Sequence, residues 1–374
     1  MSTPHSTKAL IIKGKSHEIS EVPIATVQDD EILFKVSVVA INPTDANHLD
    51  NGWSIDGAIV GCDAAGEVLA VGKEVIDFKV GDLVASMLAG SSVMNPLKGA
   101  FAEYVVAKAR VSYKFPSIQK SSAELHGYVA AGPVTTLEQA VSVPVGITTA
   151  IVGLGCVAGL DELKPNPEFK NQVVLVWGGA SAVGQSLVQV AKYMGFTVFS
   201  TNSARNNDWV KEVGADKCFD YNDENVVDQI KKAAGENITY AFDAVTKGDT
   251  TVLSNRVVSR TKPAAIFTMR PFNPDTLGPE KLDNVKYLFP NVYLGIEKVK
   301  KFGVNDEGYP SPPGLWDTVA KMSRQFNEIN ASNRNVFKAM PLRVLDERGF
   351  DAIIEGIDIL RKGQNSGEKI VIHL

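Results

Sequence analysis

Cysteine is scarce. Three residues in 374, Cys62, Cys156 and Cys218, lie far apart in sequence with no CxxC pair, which excludes a thiolate zinc ribbon and a disulfide framework. The five histidines include no HExxH and no closely spaced pair. Positive charge is not in excess either. The 38 basic and 43 acidic residues give a net charge of −5, against the basic stripes that nucleic acid selects. No uninterrupted apolar run approaches the roughly 20 residues that span a bilayer; the longest, around 150–160, is broken by glycines. The first eight residues hold neither an apolar signal core nor an Arg-rich amphipathic pattern. These absences predict a soluble cytoplasmic protein with no membrane and no nucleic-acid partner. At 44% apolar residues, with 31 Gly and 18 Pro, the chain is also neither disordered nor fibrous.

At about 150 residues per domain, the length predicts two domains. The first, over 1–145, is strand-rich. Segments 31–41 (ending in the Asn42-Pro43 turn), 61–71, 81–88 and 100–106 read as strands punctuated by glycine. Many short strands with glycine turns predict a small, irregular barrel. From about residue 172 the rhythm changes to strand–helix alternation. Residues 172–177 form a continuous apolar run, the mark of a strand covered on both faces. Helix 183–195, strand 197–201, helix 206–214, strand 217–220, helix 224–234 and strands 239–245 and 264–269 follow. This is the pattern of an α/β doubly wound parallel sheet. Beyond it, 269–335 is proline-rich, with a helix expected at 315–329 and the last strand of the sheet at 291–296. Residues 350–360 predict an amphipathic helix. The β-like tail 368–374 has no strand–helix partner and is expected to rejoin the first domain.

The stretch Leu175-Val176-Trp177-Gly178-Gly179-Ala180-Ser181-Ala182-Val183-Gly184 places a glycine-rich turn between an apolar strand and a helix. Gly179 is expected to permit the tight turn. Small Ala180, Ser181 and Ala182 would let backbone N–H groups, Val183 included, approach a pyrophosphate at the helix start, and Gly184 would let the helix sit close on the strand. The competing reading is a turn that merely packs. An NAD site carries Asp or Glu about 20 residues further on, to bind the ribose 2′-OH. Here the second strand runs into Asn202-Ser203-Ala204-Arg205, and no carboxylate appears before Asp208. The Ser203 hydroxyl and the Arg205 guanidinium suit a 2′-phosphate, so the expected cofactor is NADP(H). Tyr221 either covers the adenosine or is a half-buried surface residue.

Several motifs together are similar to the zinc-independent branch of the medium-chain dehydrogenase/reductase superfamily, the quinone oxidoreductases and fungal trans-acting enoyl reductases. They are Asn42-Pro43-Thr44-Asp45, Gly61-Cys62-Asp63-Ala64-Ala65-Gly66, Gly81-Asp82, Gly99-Ala100-Phe101-Ala102-Glu103-Tyr104, Val143-Pro144 with Thr148-Thr149-Ala150, the Gly179 to Gly184 turn, and Ser366-Gly367-Glu368-Lys369. The resemblance implies a GroES-like catalytic domain over 1–145, completed by 336–374. It also implies a Rossmann domain over 146–335 with a Pro-rich insertion near 270–315, and an active site in the cleft between the domains. Zinc-dependent relatives carry Cys at the start of the segment matching Asn42 to Asp45, and Gly-His-Glu where this chain has Gly61-Cys62-Asp63. His48, Cys62 and Asp63 could be assembled on paper into a ligand set, but the expectation is no metal.

Without a metal, charge that builds on a substrate oxygen during hydride transfer falls to hydrogen-bond donors. A conjugated acceptor spreads that charge. Quinones, enones and enoyl thioesters are therefore favoured over unactivated ketones, and the acceptors expected are quinones, enones, enals or aldehydes. The resemblance points to Asn42, Thr44, Asn47 and His48 as the nearest candidates, with Asn47 where related reductases often carry a lysine. His48 itself reads more as a surface residue, and Asp45 reads equally as a cofactor-side group or a helix cap. The resemblance also places Thr148 and Thr149, Phe267 and Thr268, and Asn365 and Ser366 beside the cofactor. The chain thus reads as an NADPH-dependent reductase of a small-molecule acceptor. Two alternatives stay open: an enoyl reductase acting in trans on the acyl thioesters of a polyketide-type synthase, and an NADPH-binding sensor or scaffold. A homodimer through the edge of the parallel sheet is expected by analogy.

Overall fold

Two stretches of backbone chemistry divide the protein, one of long antiparallel pairings and one of parallel strand–helix repeats. A computed structural model describes residues 4–157, 159–332 and 336–374. By contacts these form two compact units, one built from Met1–Thr148 with Tyr293–Leu374 and the other from Thr149–Val292. The chain passes from the first to the second within the helix Pro144–Val157. The span Leu137–Gly155 proves long and apolar enough to cross a membrane by length and composition, and 94% of its most apolar window is buried inside the protein.

In the first unit the strand Glu31–Ala40 is the hub. It pairs antiparallel with Asp63–Val71, Tyr104–Lys108 and the C-terminal strand Lys369–His373. Its β-branched residues Val36, Val38 and Val39 are buried, as suits a pleated surface covered by neighbours. Lys369–His373 also runs parallel to Leu342–Val344. The tail therefore does rejoin the first unit, as the sequence predicts. Leu83–Met87 and Ser112–Lys114 extend one side of the sheet, and Gly127–Val129 ends the other. The helix Gly349–Arg361 lays Phe350, Ile353 and Ile357 onto the core beneath.

The second unit is a six-stranded parallel sheet in the order Lys217–Phe219, Thr197–Thr201, Val173–Trp177, Ile238–Asp243, Ala264–Thr268, Val285–Leu288. All five residues of Val173–Trp177 are buried, which is what the unbroken apolar run requires. The strand order reverses between Val173–Trp177 and Ile238–Asp243. In open α/β sheets, ligands bind at the carboxyl ends beside such a reversal.

Two expectations are corrected. Residues 291–296 are not the last strand: Val292–Gly295 is a 3-10 turn and the edge strand is Val285–Leu288. The homodimer analogy, which took 291–296 as the edge, loses that support. The second boundary also moves from 336, next to residues outside the described set, back to Tyr293. The reason lies in side chains that a periodicity reading does not register. Arg110 donates from Nε to the Gly295 carbonyl at 3.0 Å and from Nη2 to that of Ile296 at 2.9 Å, and its guanidinium lies 3.7 Å over the Trp316 ring. The Lys114 amide donates to Asn327 Oδ1 at 2.9 Å, and the rings of Tyr113 and Phe326 meet edge to face at 5.3 Å. The helix Leu315–Ser332 is thereby bound into the first unit.

Candidate active site

Two clusters carry chemistry, one in each unit. In the first unit, Pro43 starts the helix Pro43–Asp50 where its missing N–H costs nothing. Asp45, in the first turn, accepts from the Asn42 amide at 2.7 Å, closing one half of a capping box. Asp45 is thus a buried helix cap. Burial pushes its carboxyl up to about 7, opposed by the Asn42 amide and Lys369.

Asn42 faces the other way. Its Nδ2 donates to Asp63 Oδ2 at 2.9 Å, and its Oδ1 accepts from Lys369 Nζ at 2.5 Å. The same ammonium reaches Asp63 Oδ2 at 2.9 Å, while Asp63 Oδ1 accepts from the Val145 amide. All three side chains are buried. An ammonium therefore sits on oxygens of Asn42 and Asp63, which lie in the two segments that the resemblance matches to the metal-binding segments of zinc-dependent relatives. Cys62 is buried beside them, and burial and then the charge of Asp45 push its thiol well above the usual range. Among the described residues no group of three or more His, Cys, Asp and Glu side chains could hold a metal ion. This donor set does not fit zinc.

Beside it runs a hydrogen-bonded chain. The Tyr293 hydroxyl lies 2.6 Å from Thr44 Oγ1 and 3.3 Å from Cys62 Sγ, and Thr44 Oγ1 lies 3.0 Å from His48 Nδ1. His48 Nδ1–H donates to the Thr44 carbonyl at 2.8 Å, which assigns the neutral tautomer with Nε2 as an acceptor. His48 is buried, a correction to the surface reading. Burial and then the charge of Lys300 lower its pKa to about 4. Burial and then Cys62 raise the Tyr293 phenol well above its ordinary range. Lys300 is fully buried, with Nζ 4.1 Å from the Tyr293 ring centroid. Tyr293 and Lys300 escaped the sequence reading because they lie in the proline-rich stretch, where neither period nor motif marks them. Thr44 is brought into this cluster; Asn47, half-buried, makes no side-chain bond to it. Thr148 is committed elsewhere, its Oγ1 meeting the Tyr113 hydroxyl at 2.7 Å. Asn365 and Ser366 lie on the turn before Lys369–His373, with Ser366 exposed.

In the second unit the register aligns Trp177, Thr201, Asp243 and Thr268 across one edge of the sheet. The turn after Trp177 differs from expectation in one detail. Gly178, not Gly179, takes the left-handed backbone (φ 88°). Gly179 is required for approach instead, since a Cβ there would lie 2.0 Å from Ser200 Oγ. Ser181 caps the helix Ala182–Met194, accepting from the Gly184 amide at 3.0 Å and donating to the Gly178 carbonyl at 2.9 Å. The first-turn amides of Ala182 and Val183 have no intrahelical acceptor and the helix dipole favours an anion there. A Cβ on Gly184 would lie 2.1 Å from the Gly178 carbonyl oxygen, so helix and turn touch backbone to backbone. This cradle fits a dinucleotide pyrophosphate. Ser203 and exposed Arg205 follow Thr197–Thr201 directly. Tyr221 is 48% exposed. The Phe267 side chain stacks on Phe242 at 4.2 Å, which leaves only its backbone to offer, and Thr268 Oγ1 donates to the Arg270 carbonyl at 2.7 Å. Thr149 is buried in the helix Pro144–Val157. Sequence reasoning missed Asp243, whose carboxylate gathers the amides of Val245 and Thr246 and the hydroxyls of Thr250 and Thr251 at 2.6–3.1 Å. It organises the loop at that same edge.

Comparison with known proteins identifies the family and the fold. Residues 28–117 match the alcohol dehydrogenase GroES-like domain, and residues 182–276 match the family described as zinc-binding dehydrogenase. The uncharacterized protein YLR460C of Saccharomyces cerevisiae is 34% identical over 99% of this chain and 98% of its own length. The trans-enoyl reductase buaC of Petromyces alliaceus is 30% identical over 98% of this chain and 97% of its own. In fold, an alcohol dehydrogenase superfamily protein from Novosphingobium aromaticivorans superposes with a TM-score of 0.71 at 20% identity, covering 99% of both chains. With a GroES-like unit, a parallel sheet and relatives of at least 30% identity over nearly its whole length, the chain belongs to the zinc-independent branch of the medium-chain dehydrogenase/reductase superfamily and is an NAD(P)H-dependent reductase of that type.

Proposed function

We propose that this protein is an NADPH-dependent, metal-independent reductase of activated double bonds or reactive carbonyls in small molecules, working in the cytoplasm. Arg205 carries the cofactor half of this reading. It follows the second strand with Ser203 beside it, and no carboxylate intervenes to bind a ribose 2′-OH or repel a 2′-phosphate. A guanidinium fork suits that phosphate. The Gly178 to Gly184 turn would hold the pyrophosphate, and Asp243 would keep the loop beside it in shape. The nicotinamide, when bound, supplies the hydride. The chain's own part is to orient the acceptor and satisfy the oxygen that gains charge, a task for which the Thr44, Tyr293 and His48 chain supports donors in a buried setting.

The experiment mixes purified protein with NADPH or NADH and a panel of quinones, enals, enones and aldehydes, following loss of reduced-nicotinamide absorbance. Turnover with NADPH preferred is expected. Arg205→Ala should cut that preference by about tenfold or more, the loss of roughly one charge-assisted contact. An unchanged preference overturns the cofactor reading, and binding without any turnover favours a sensor. The 30% identity to a trans-enoyl reductase over nearly the whole chain favours one second reading, an acyl thioester as acceptor. Turnover of acyl-thioester models but not of quinones or enals would select it.

A further inference from the structure

Lys300 is a buried cation beside Tyr293 that takes no part in the hydrogen bonds among Thr44, Tyr293 and His48. Its side chain is wholly buried and its Nζ has no hydrogen-bond partner among the described residues. Glu297, the carboxylate that acts on it most, is turned to Ser92 and Asn95 through Oε1, and its Oε2 is likewise without a partner. The amine instead rests over the Tyr293 ring at 4.1 Å and near that of Phe302 at 5.6 Å. His48, whose Nε2 is also buried without a partner, completes the group. From there an aromatic series leads outward. The His48 ring lies 6.1 Å from Trp53 and 6.2 Å from Phe302, and Phe302 lies 5.9 Å from Tyr309, which is 42% exposed.

A buried amine without a partner costs stability. The two aromatic faces offset part of that cost. Function gives a further reason to keep the amine, because a metal-free reductase lacks a cation where charge develops, and Asn47 cannot supply one. We infer that Lys300 is the donor that receives the oxyanion of a planar conjugated carbonyl substrate, its ring or enone plane lying against the Trp53, Phe302 and Tyr309 side chains. This rests on the reductase reading above. As hydride adds to the β carbon of an enone, the new C–H bond forms, the C=C π pair shifts and the carbonyl oxygen becomes an enolate oxygen. The substrate gains two electrons, the reduced nicotinamide is oxidised, and water provides the proton that ends on the α carbon. Burial lowers the Lys300 pKa, opposed by Glu297 and Cys62. Charged or neutral, the amine keeps at least two N–H bonds to offer the enolate.

The test compares wild type with Lys300→Met and Lys300→Arg in three measurements. The first is binding of 4-nitrophenolate, a planar conjugated oxyanion, followed by its absorbance with no nicotinamide present. Lys300→Met should weaken it at least tenfold and Lys300→Arg by no more than about threefold. The second is the melting temperature, which Lys300→Met should leave unchanged or raise, because a methionine removes the unpartnered group. The third is enone turnover, which Lys300→Met should lower about 100-fold with NADPH affinity intact. If Lys300→Met melts several degrees lower or fails to fold, the lysine is structural and the inference is overturned. Equal phenolate affinity in all three proteins, or no binding by any, overturns it too. Failure of the reductase reading looks different: no panel substrate is then reduced by wild type, whatever the phenolate and melting measurements show.

Discussion

The two clusters are built in opposite ways. In the second unit, everything that would hold a pyrophosphate lies between Gly178 and Gly184, and Ser203 and Arg205, proposed for the adenosine side, follow one strand later. In the first unit, the site draws Asn42 and Thr44 from the start of a helix, Cys62 and Asp63 from the start of a strand, Tyr293 and Lys300 from the proline-rich segment and Lys369 from the C-terminal tail. A phosphate is recognised by backbone amides and a dipole, which any short, small-residue turn at a helix start can supply. An acceptor oxygen needs side chains converging from several directions, and only tertiary structure brings those together. The local site should fail locally, and the assembled site should fail with its unit.

Removing the assembled site's central cation is the most severe way to sharpen that contrast. Lys369→Met leaves the Asp63 carboxylate buried with only the Asn42 amide and the Val145 N–H as donors. Breaking one partner out of a buried pair costs about 3–5 kcal/mol. Urea unfolding should show that loss, and it should appear in the transition of the first unit if the two units unfold separately. A loss below about 1 kcal/mol would mean that the ammonium is not what holds Asn42, Asp63 and the tail strand together.

A pH series probes the same unit with smaller effects. Asp45 titrates at about 7 in the folded protein against 3.8 ordinarily. Between those values the folded state keeps a proton that the unfolded chain has lost, so stability falls as pH rises. His48 titrates at about 4 against 6.5. There the unfolded chain takes up a proton that the folded state refuses, so stability falls as pH drops. From pH 4 to 6.5 the two slopes oppose each other, each worth about 1.4 kcal/mol per pH unit. Asp45→Asn should therefore tilt the stability curve upward with pH relative to wild type, and His48→Gln should tilt it downward. Urea midpoints at pH 4.5, 5.5 and 6.5 measure both, and curves parallel to wild type would show that neither group is shifted.

How far each region was legible in the sequence follows the same division. The parallel sheet could be read because fully buried strands are written as unbroken apolar runs and surface helices as a 3.6-residue period, so 172–177 was placed to within a residue of Val173–Trp177. The phosphate turn followed from its context, although the left-handed residue proved to be Gly178 and Ser181 proved to be a cap. The tail strand was readable by elimination. Tyr293 and Lys300 were not, because a 3-10 turn and a two-residue strand have no period and long-range bonds leave no local mark. The boundary at Tyr293 was lost for the same reason: Arg110 on Trp316 is a contact across 206 positions of chain, which no window of sequence contains.

The local site can be broken by a single methyl group. Gly184→Ala would place a Cβ 2.1 Å from the Gly178 carbonyl oxygen, a backbone atom that cannot rotate aside. Either the helix Ala182–Met194 slides off the strand or the turn opens, and overpacking of this kind costs about 1–3 kcal/mol. Both responses move the first-turn amides away from where a pyrophosphate would sit. Isothermal titration should show NADPH affinity falling at least tenfold, while 4-nitrophenolate, which needs only the first unit, binds as in wild type. Gly179→Ala meets a side-chain atom instead, Ser200 Oγ at 2.0 Å, and a hydroxyl can turn where a carbonyl cannot. Its loss should be the smaller of the two. If Gly179→Ala proves as damaging as Gly184→Ala, the contact of helix on turn is not what shapes the cradle, and the nucleotide site is less local than the backbone geometry makes it.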